Sequence, residues 1–212
     1  MLIEIFSDIV CPWCYIGKRN LDIALDSPAG EGVELIWRPY QLYPNVPPGG
    51  IDRLAFLRAR FGEASNPDYV PEPIGIEADA VGLRFDFAAM KTTPNTFQAH
   101  RLMDFAHQSK HQHALAEVLF RYYFCEGKNV GDLEVLRGAA GEVGLDRAAV
   151  VEYLESGAGS EEVRRQLARA QGAGVTGVPC YLLEETFAIP GAQSPDVLVQ
   201  LISRAKERLA TA

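Results

Sequence analysis

The sequence predicts an α/β protein whose small sheet is interrupted by a large all-helical insertion. Three observations carry this reading. The N-terminal flank reads as strand, helix, strand, and the C-terminal flank as strand, strand, helix. The stretch of roughly 110 residues between them shows helical periodicity and no alternating run. Joined, the flanks supply a sheet and helices to cover it, while the middle must bury its apolar stripes helix on helix. Residues 1–43 and 158–212 are therefore expected to form one domain, with 44–157 as a helical insertion subdomain. A chain of 212 residues is long enough to bury a substantial core in this way.

Each element rests on its own signal. Leu2 to Phe6 is short, apolar and rich in β-formers, a buried strand with Glu4 as its odd member. From Cys14 to about Ala24, Ile16, Leu21 and Leu25 lie opposite Lys18, Arg19 and Asp22, as on an amphipathic helix. Ser27-Pro28-Ala29-Gly30 stops it, and Val33 to Trp37 gives a second strand. Pro39, Pro44, Pro47, Pro48 and Gly49-Gly50 then break the chain and mark the exit into the insertion.

Within the insertion, Leu115, Val118, Leu119, Tyr122 and Tyr123 fall on one helical stripe. Thr93-Pro94-Asn95 introduces another helix holding Phe97, Arg101, Met103 and Phe105. Shorter helices are expected over Ile51–Arg60, Asp132–Val143, Arg147–Glu155 and Glu161–Ala170. Pro67, Pro71 and Pro73 make their neighbourhood irregular. Gly172 to Pro179 returns to turn chemistry. Cys180–Leu183 and Thr186–Ile189 read as short strands around Glu184-Glu185, and Pro195 to Leu209 as a final amphipathic helix.

Charge and composition narrow the function classes. With 28 acidic against 20 basic residues the net charge is −8, which disfavours nucleic acid or an anionic membrane as partner, since both require a basic face. No apolar run approaches the roughly 20 residues that span a bilayer. Met1-Leu2-Ile3-Glu4-Ile5-Phe6 carries no basic leader, and its apolar stretch runs straight into the cysteines, so a cytoplasmic location is expected. Four cysteines are too few to staple a chain of this length; in a reducing compartment they are catalytic, metal-binding or buried.

Cys11-Pro12-Trp13-Cys14 carries the chemistry. A strand leads to it and a helix begins at it. A helix N-terminus offers partial positive charge and free backbone N–H groups, which stabilise a thiolate. The two-residue spacer lets the second sulfur reach the first and resolve a mixed disulfide. Cys11, at the exposed start of the helix, is assigned as the nucleophile and Cys14, one turn in, as the resolving thiol. A zinc half-site would need a second ligand pair. Cys125 and Cys180 are 55 residues apart, and His107, His111 and His113 have no cysteine nearby, so no metal is expected.

The order of elements, the cysteine pair and Gly174-Val175-Thr176-Gly177-Val178-Pro179 together resemble the DsbA-like branch of the thioredoxin superfamily. The segment from Ser7 to Lys18, Pro94-Asn95-Thr96 with Ala99-His100-Arg101-Leu102, and Gly191-Ala192-Gln193 resemble its FrnE-type members more narrowly. The resemblance implies a thioredoxin-like fold and a thiol–disulfide oxidoreductase acting on protein or small-molecule disulfides. It makes Val178-Pro179 a cis bond facing the cysteines, with Pro179 part of the catalytic centre. Gly177, Val178, Pro12 and Trp13 would bind substrate, the Val178 backbone pairing with an extended segment as an added strand. It implies no resident cofactor beyond the redox-active disulfide. Partners would be disulfide- or thiol-bearing proteins, with glutathione as a candidate co-substrate, and the chain a monomer or homodimer.

Relatives place a buried acid for proton transfer at the position of Glu4, and Asp8 is its rival, because a carboxylate in apolar surroundings has a raised pKa and can act as a base. His100 and Cys125 read as packing residues. Cys180 directly follows the proline, and its side chain points either into the sheet core or toward the helix of Cys14. A different class shares the layout: glutathione-dependent isomerases and transferases of the 2-hydroxychromene-2-carboxylate isomerase and kappa type. These place a serine where this chain has Cys11. A glutathione site would fall at Gln193, Ser194 and Asp196, at the last helix's N-terminus.

Overall fold

The computed structural model describes residues 1–211. The N-terminal flank folds as strand β1 (Leu2–Ser7), helix α1 (Pro12–Leu25) and strand β2 (Glu34–Pro39). The C-terminal flank adds β5 (Cys180–Leu183), β6 (Phe187–Pro190) and α9 (Pro195–Thr211). Residue 212, the last of the expected domain, lies outside the described residues. The four strands pair in the order β2-β1-β5-β6, with β1 parallel to β2 and antiparallel to β5. Helices α1 and α9 pack together against one face. On the other lies α8 (Ser160–Gly172), against β2.

Strand alternation sorts the side chains of β1 between these faces. Ile3 and Ile5 join the core under α1, together with Tyr181 and Leu183 of β5. Phe6 faces the other way, packing with Ala170 of α8 and with Cys180, its partner in the register. Glu4 shares that second face and meets Arg169 of α8.

The intervening chain builds α2 (Arg53–Phe61), α3 (Glu72–Ala80), α4 (Phe97–His107), α5 (Gln112–Phe124), α6 (Leu133–Glu142) and α7 (Arg147–Glu155). Its buried residues, Leu102, Leu115, Phe120 and Leu136 among them, belong to the same apolar cluster as Ile5 and Ile16, so one core runs from the sheet into the insertion. Arg101, fully enclosed, donates to the carbonyls of Tyr153, Leu154 and Ala158 at 2.6–2.9 Å, satisfying the acceptors that the end of α7 leaves open.

The insertion is not all-helical. Ile51–Asp52 (β3) pairs antiparallel with Thr92–Thr93 (β4), where a helix was expected to begin at Ile51. Two residues carry no periodicity, and their partner strand lies some forty positions along the chain, so no local signal announces them. Asp52 then caps α2, its carboxylate accepting from the Ala55 N–H at 2.8 Å. The chain holding Pro67 and Pro71 is irregular as expected, but α3 begins directly after it and takes in the third proline. Pro73 sits in its first turn, where a missing N–H costs no helical hydrogen bond.

Candidate active site

Helix α1 starts at Pro12, two residues earlier than the apolar pattern places it, and Cys11 is its N-cap with extended backbone. Proline at the first helical position is preorganised for the helix and removes a donor that would have had no partner. The Cys14 N–H donates to the Cys11 carbonyl at 3.0 Å, and the Cys11 N–H to that of Asp8 at the same distance. Both cysteines are free thiols.

Cys11 was expected at an exposed helix start, yet it is only 3% exposed. Its Sγ donates to the carbonyl of Val178 at 3.5 Å, so the proline loop lies directly over the sulfur. The Val178–Pro179 bond is cis, Pro179 is buried and Val178 half-buried, while Gly177 is exposed. Trp13 and Pro12 are half-buried, with Trp13 against the apolar core.

Cys14 is 1% exposed. Burial pushes its thiol well above the usual cysteine value, and the neighbouring Cys11 pushes it further; the Ser7 hydroxyl and the Asp8 backbone oppose both without reversing them. The ring of Tyr181 backs the pair from β5, its own phenol pushed up by burial and then by the two sulfurs.

Gly17 sets how closely α1 approaches this strand. A Cβ there would lie 2.5 Å from the Tyr181 hydroxyl and 3.0 Å from Pro179 Cγ. Gly17 lies within the Ser7–Lys18 segment with no local signal of its own, and its role is visible once β5 is in place.

The rival acids separate. Glu4 is fully buried on the α8 face, away from α1, where Arg38 Nε reaches it at 2.6 Å and Arg169 at 2.7 and 2.9 Å. Burial alone would raise its pKa, but the two guanidinium groups outweigh that and hold it below the usual glutamate value. This corrects the expectation of a raised-pKa base at Glu4: strand alternation turns it from the cysteines, and two cations keep it ionised. Asp8, equally buried, stays beside the motif. It accepts from the Leu42 N–H at 2.7 Å, with His100 Nε2 at 3.3 Å from its other oxygen. His100 Nε2 also donates to the Tyr40 carbonyl at 2.9 Å. A carbonyl only accepts, so that nitrogen carries the proton.

A second polar cluster fastens α1 to the insertion. Buried Lys18 bonds Asp22 and Glu117, both at 2.8 Å. Tyr15 donates to Glu117 at 2.8 Å, and His113 Nε2 meets Asp22 at 2.7 Å. Cys180 is buried with Phe6 and Ala170 on the face opposite α1, and Cys125 is the half-buried C-cap of α5. At the start of α9, the Gln193 carbonyl accepts from Asn20 and its side chain donates to Pro190, while Ser194 Oγ caps the helix at 3.5 Å from the Val197 N–H; Asp196 is exposed. Among the described residues no three His, Cys, Asp or Glu side chains cluster as metal ligands.

Comparison with known proteins agrees with this layout. The protein YwbO of Bacillus subtilis, itself uncharacterized, is 30% identical over 202 residues, 95% of each chain. The crystal structure of the probable DsbA oxidoreductase SCO1869 from Streptomyces coelicolor superposes with a TM-score of 0.84 at 30% identity, covering 98% of this chain and 90% of that one. A 2-hydroxychromene-2-carboxylate isomerase shares the fold, with a TM-score of 0.72 at 19% identity over 100% of this chain and 98% of its own. The model of the DSBA-like thioredoxin domain matches residues 2–203, and the chain belongs to that family.

Proposed function

We propose that the protein is a thiol–disulfide oxidoreductase in which Cys11 attacks and Cys14 resolves. The observation that carries this reading is the placement of Cys11 at the N-cap of α1, against the Val178 carbonyl, with Cys14 buried one turn behind it. In the reductive direction the Cys11 thiolate attacks one sulfur of a substrate disulfide. The substrate S–S bond breaks, a Cys11–substrate mixed disulfide forms, and the first substrate thiolate leaves. Cys14 then loses its proton and attacks Cys11 Sγ, releasing the second substrate thiolate. The protein ends as the Cys11–Cys14 disulfide, and the substrate has gained two electrons and two protons. Oxidation of a dithiol substrate runs the same steps backwards.

Protein disulfides, or glutathione as co-substrate, are the substrates this chemistry suits, in the cytoplasm and with no resident cofactor. The Val178 backbone receives an extended segment, with Pro12, Trp13, Gly177 and Pro179 around it. Among the described residues no helix is long and apolar enough to cross a membrane. Asp8 is the buried acid beside the motif, and Cys180 takes no part. The isomerase reading gains little from the start of α9, where the polar groups of Gln193 and Ser194 already serve the fold.

Insulin reduction and a glutathione redox titration of the Cys11→Ser and Cys14→Ser variants test the proposal. Cys11→Ser should abolish exchange. Cys14→Ser should trap mixed disulfides on Cys11, because attack survives and resolution does not. Trapping through Cys14 in the Cys11→Ser variant would reverse the assignment.

A further inference from the structure

The ribbon that interrupts the helical insertion brings together two buried polar atoms that the fold leaves without partners, although the Arg53 side chain also hydrogen-bonds Tyr123. Arg53 follows β3, and its backbone N–H donates to the carbonyl of Lys91, two positions before Thr93 of β4, at 2.9 Å. Arg53 Nε and Thr93 Oγ1 are both buried with no hydrogen-bond partner inside the protein, and Thr93 as a residue is 1% exposed. Buried donors left unpaired are costly, so two of them in one place mark a site built for an acceptor.

Both residues line one cleft of about 130 Å³. An engineered cavity of about 150 Å³ holds benzene, so the space suits a single six-membered ring. The rest of the lining is apolar and aromatic, with Phe56, Ile74, Phe87 and Met90 among it, and includes no acidic side chain to neutralise Arg53. The guanidinium sits 5.2 Å from the centroid of Phe87. Val10 and Pro12, on either side of Cys11, close one wall.

We propose that this cleft binds a small monocyclic aromatic carboxylate. One carboxylate oxygen accepts from Arg53 Nε–H, the other from the Thr93 hydroxyl, and the ring lies among Phe56, Ile74 and Met90. Arginine is the fitting cation, since its planar fork recognises carboxylates directionally. The ligand needs no sulfur, so the inference stands apart from the redox reading, although an occupied cleft would flank the attacking thiol.

Calorimetric titration of the full chain with sodium benzoate and, separately, with the uncharged isostere benzamide tests this. Benzoate is expected to bind with a Kd below about 1 mM and at least tenfold more tightly than benzamide. Arg53→Gln should erase that preference, and Thr93→Val should weaken benzoate several-fold. Equal affinities for the two ligands on the unaltered protein would overturn the proposal without any variant, as would benzoate binding that Arg53→Gln leaves unchanged. Insulin reduction by the same preparation, without ligand, reports on the redox reading separately.

Discussion

The carboxylate of Glu4 takes paired hydrogen bonds from Arg169, at 2.7 and 2.9 Å, across the face of the sheet that α1 does not touch. Arg38 adds a third at 2.6 Å. A buried carboxylate held by two cations stays ionised and fastens β1 to α8 and β2. With its basicity lowered and both oxygens engaged by arginines, it is a poor base for a thiol on the far face.

Glu4→Gln is therefore expected to cost stability and spare activity. Removing one member of a buried ion pair costs about 3–5 kcal/mol, but Arg169 is 38% exposed and solvent screens it, so about 1–3 kcal/mol is expected at pH 7. Because the folded pKa of Glu4 is depressed, its contribution is present above the unfolded value of about 4.3 and is lost as pH falls through the folded value. Urea unfolding of the two proteins should diverge at neutral pH and draw together as pH falls from the unfolded value of about 4.3 through the lower folded value. Insulin reduction per folded molecule should stay within about threefold, a barrier change under ~0.7 kcal/mol. A tenfold loss in the resolving step would return Glu4 to the site.

Gly17→Ala tests whether α1 is seated by close contact. At an exposed helical position the change would stabilise by about 1 kcal/mol. Here the added methyl meets the Tyr181 hydroxyl at 2.5 Å, and that ring is fully buried and has nowhere to withdraw. Overpacking costs about 1–3 kcal/mol, which offsets that gain and leaves a net loss of about 0–2 kcal/mol, with slower disulfide exchange as α1 shifts from Pro179. A variant more stable than the parent would mean the contact is loose.

These two residues show where the sequence was legible and where it was not. The cysteine motif, the strand before it, Arg147–Glu155 and Cys180–Leu183 were readable because their signals are local: spacing, periodicity and turn residues. Glu4 was readable as a buried acid, but its partners are 34 and 165 positions away, and only the sheet tells which face it takes. Gly17 and Tyr181 meet through the same long-range assembly. Arg53 carried no signal and Thr93 only that of a helix start, since a two-residue ribbon has no period and polar atoms show as unpaired only after packing. Cys11 lost its expected exposure because the loop carrying Val178, 167 residues on, folds over it.

Cys180 shares a wall with Phe6 and Ala170, on the opposite face from α1. Burial raises its thiol pKa, and no basic group offsets this. Cys180→Ala is expected to leave insulin reduction within about threefold of the parent. Peptide mapping of the oxidised protein should find Cys11 linked to Cys14 alone; a disulfide through Cys180 would require a third sulfur in the reaction.

Cys14 gives the sharpest pH test, because its burial has a thermodynamic consequence separate from catalysis. Its folded pKa is raised, so the folded protein keeps a proton that the unfolded chain loses above about pH 8.5. The stability linked to that proton is complete below pH 8.5 and drains away as pH rises toward the folded value. The limiting slope for one such group is about 1.4 kcal/mol per pH unit. Cys125 and Cys180 are raised in the same direction, and Tyr15, Tyr123 and Tyr181 join only above their unfolded value near 10. Between pH 8.5 and 10 the cysteines therefore dominate the loss. Urea unfolding of the reduced protein over that window should fall more steeply than that of Cys14→Ser, by close to the one-group slope, because serine has no proton to lose there. Parallel curves for the two proteins would mean that Cys14 ionises in the folded state as readily as in the unfolded chain, and that the resolving thiol needs no help in giving up its proton.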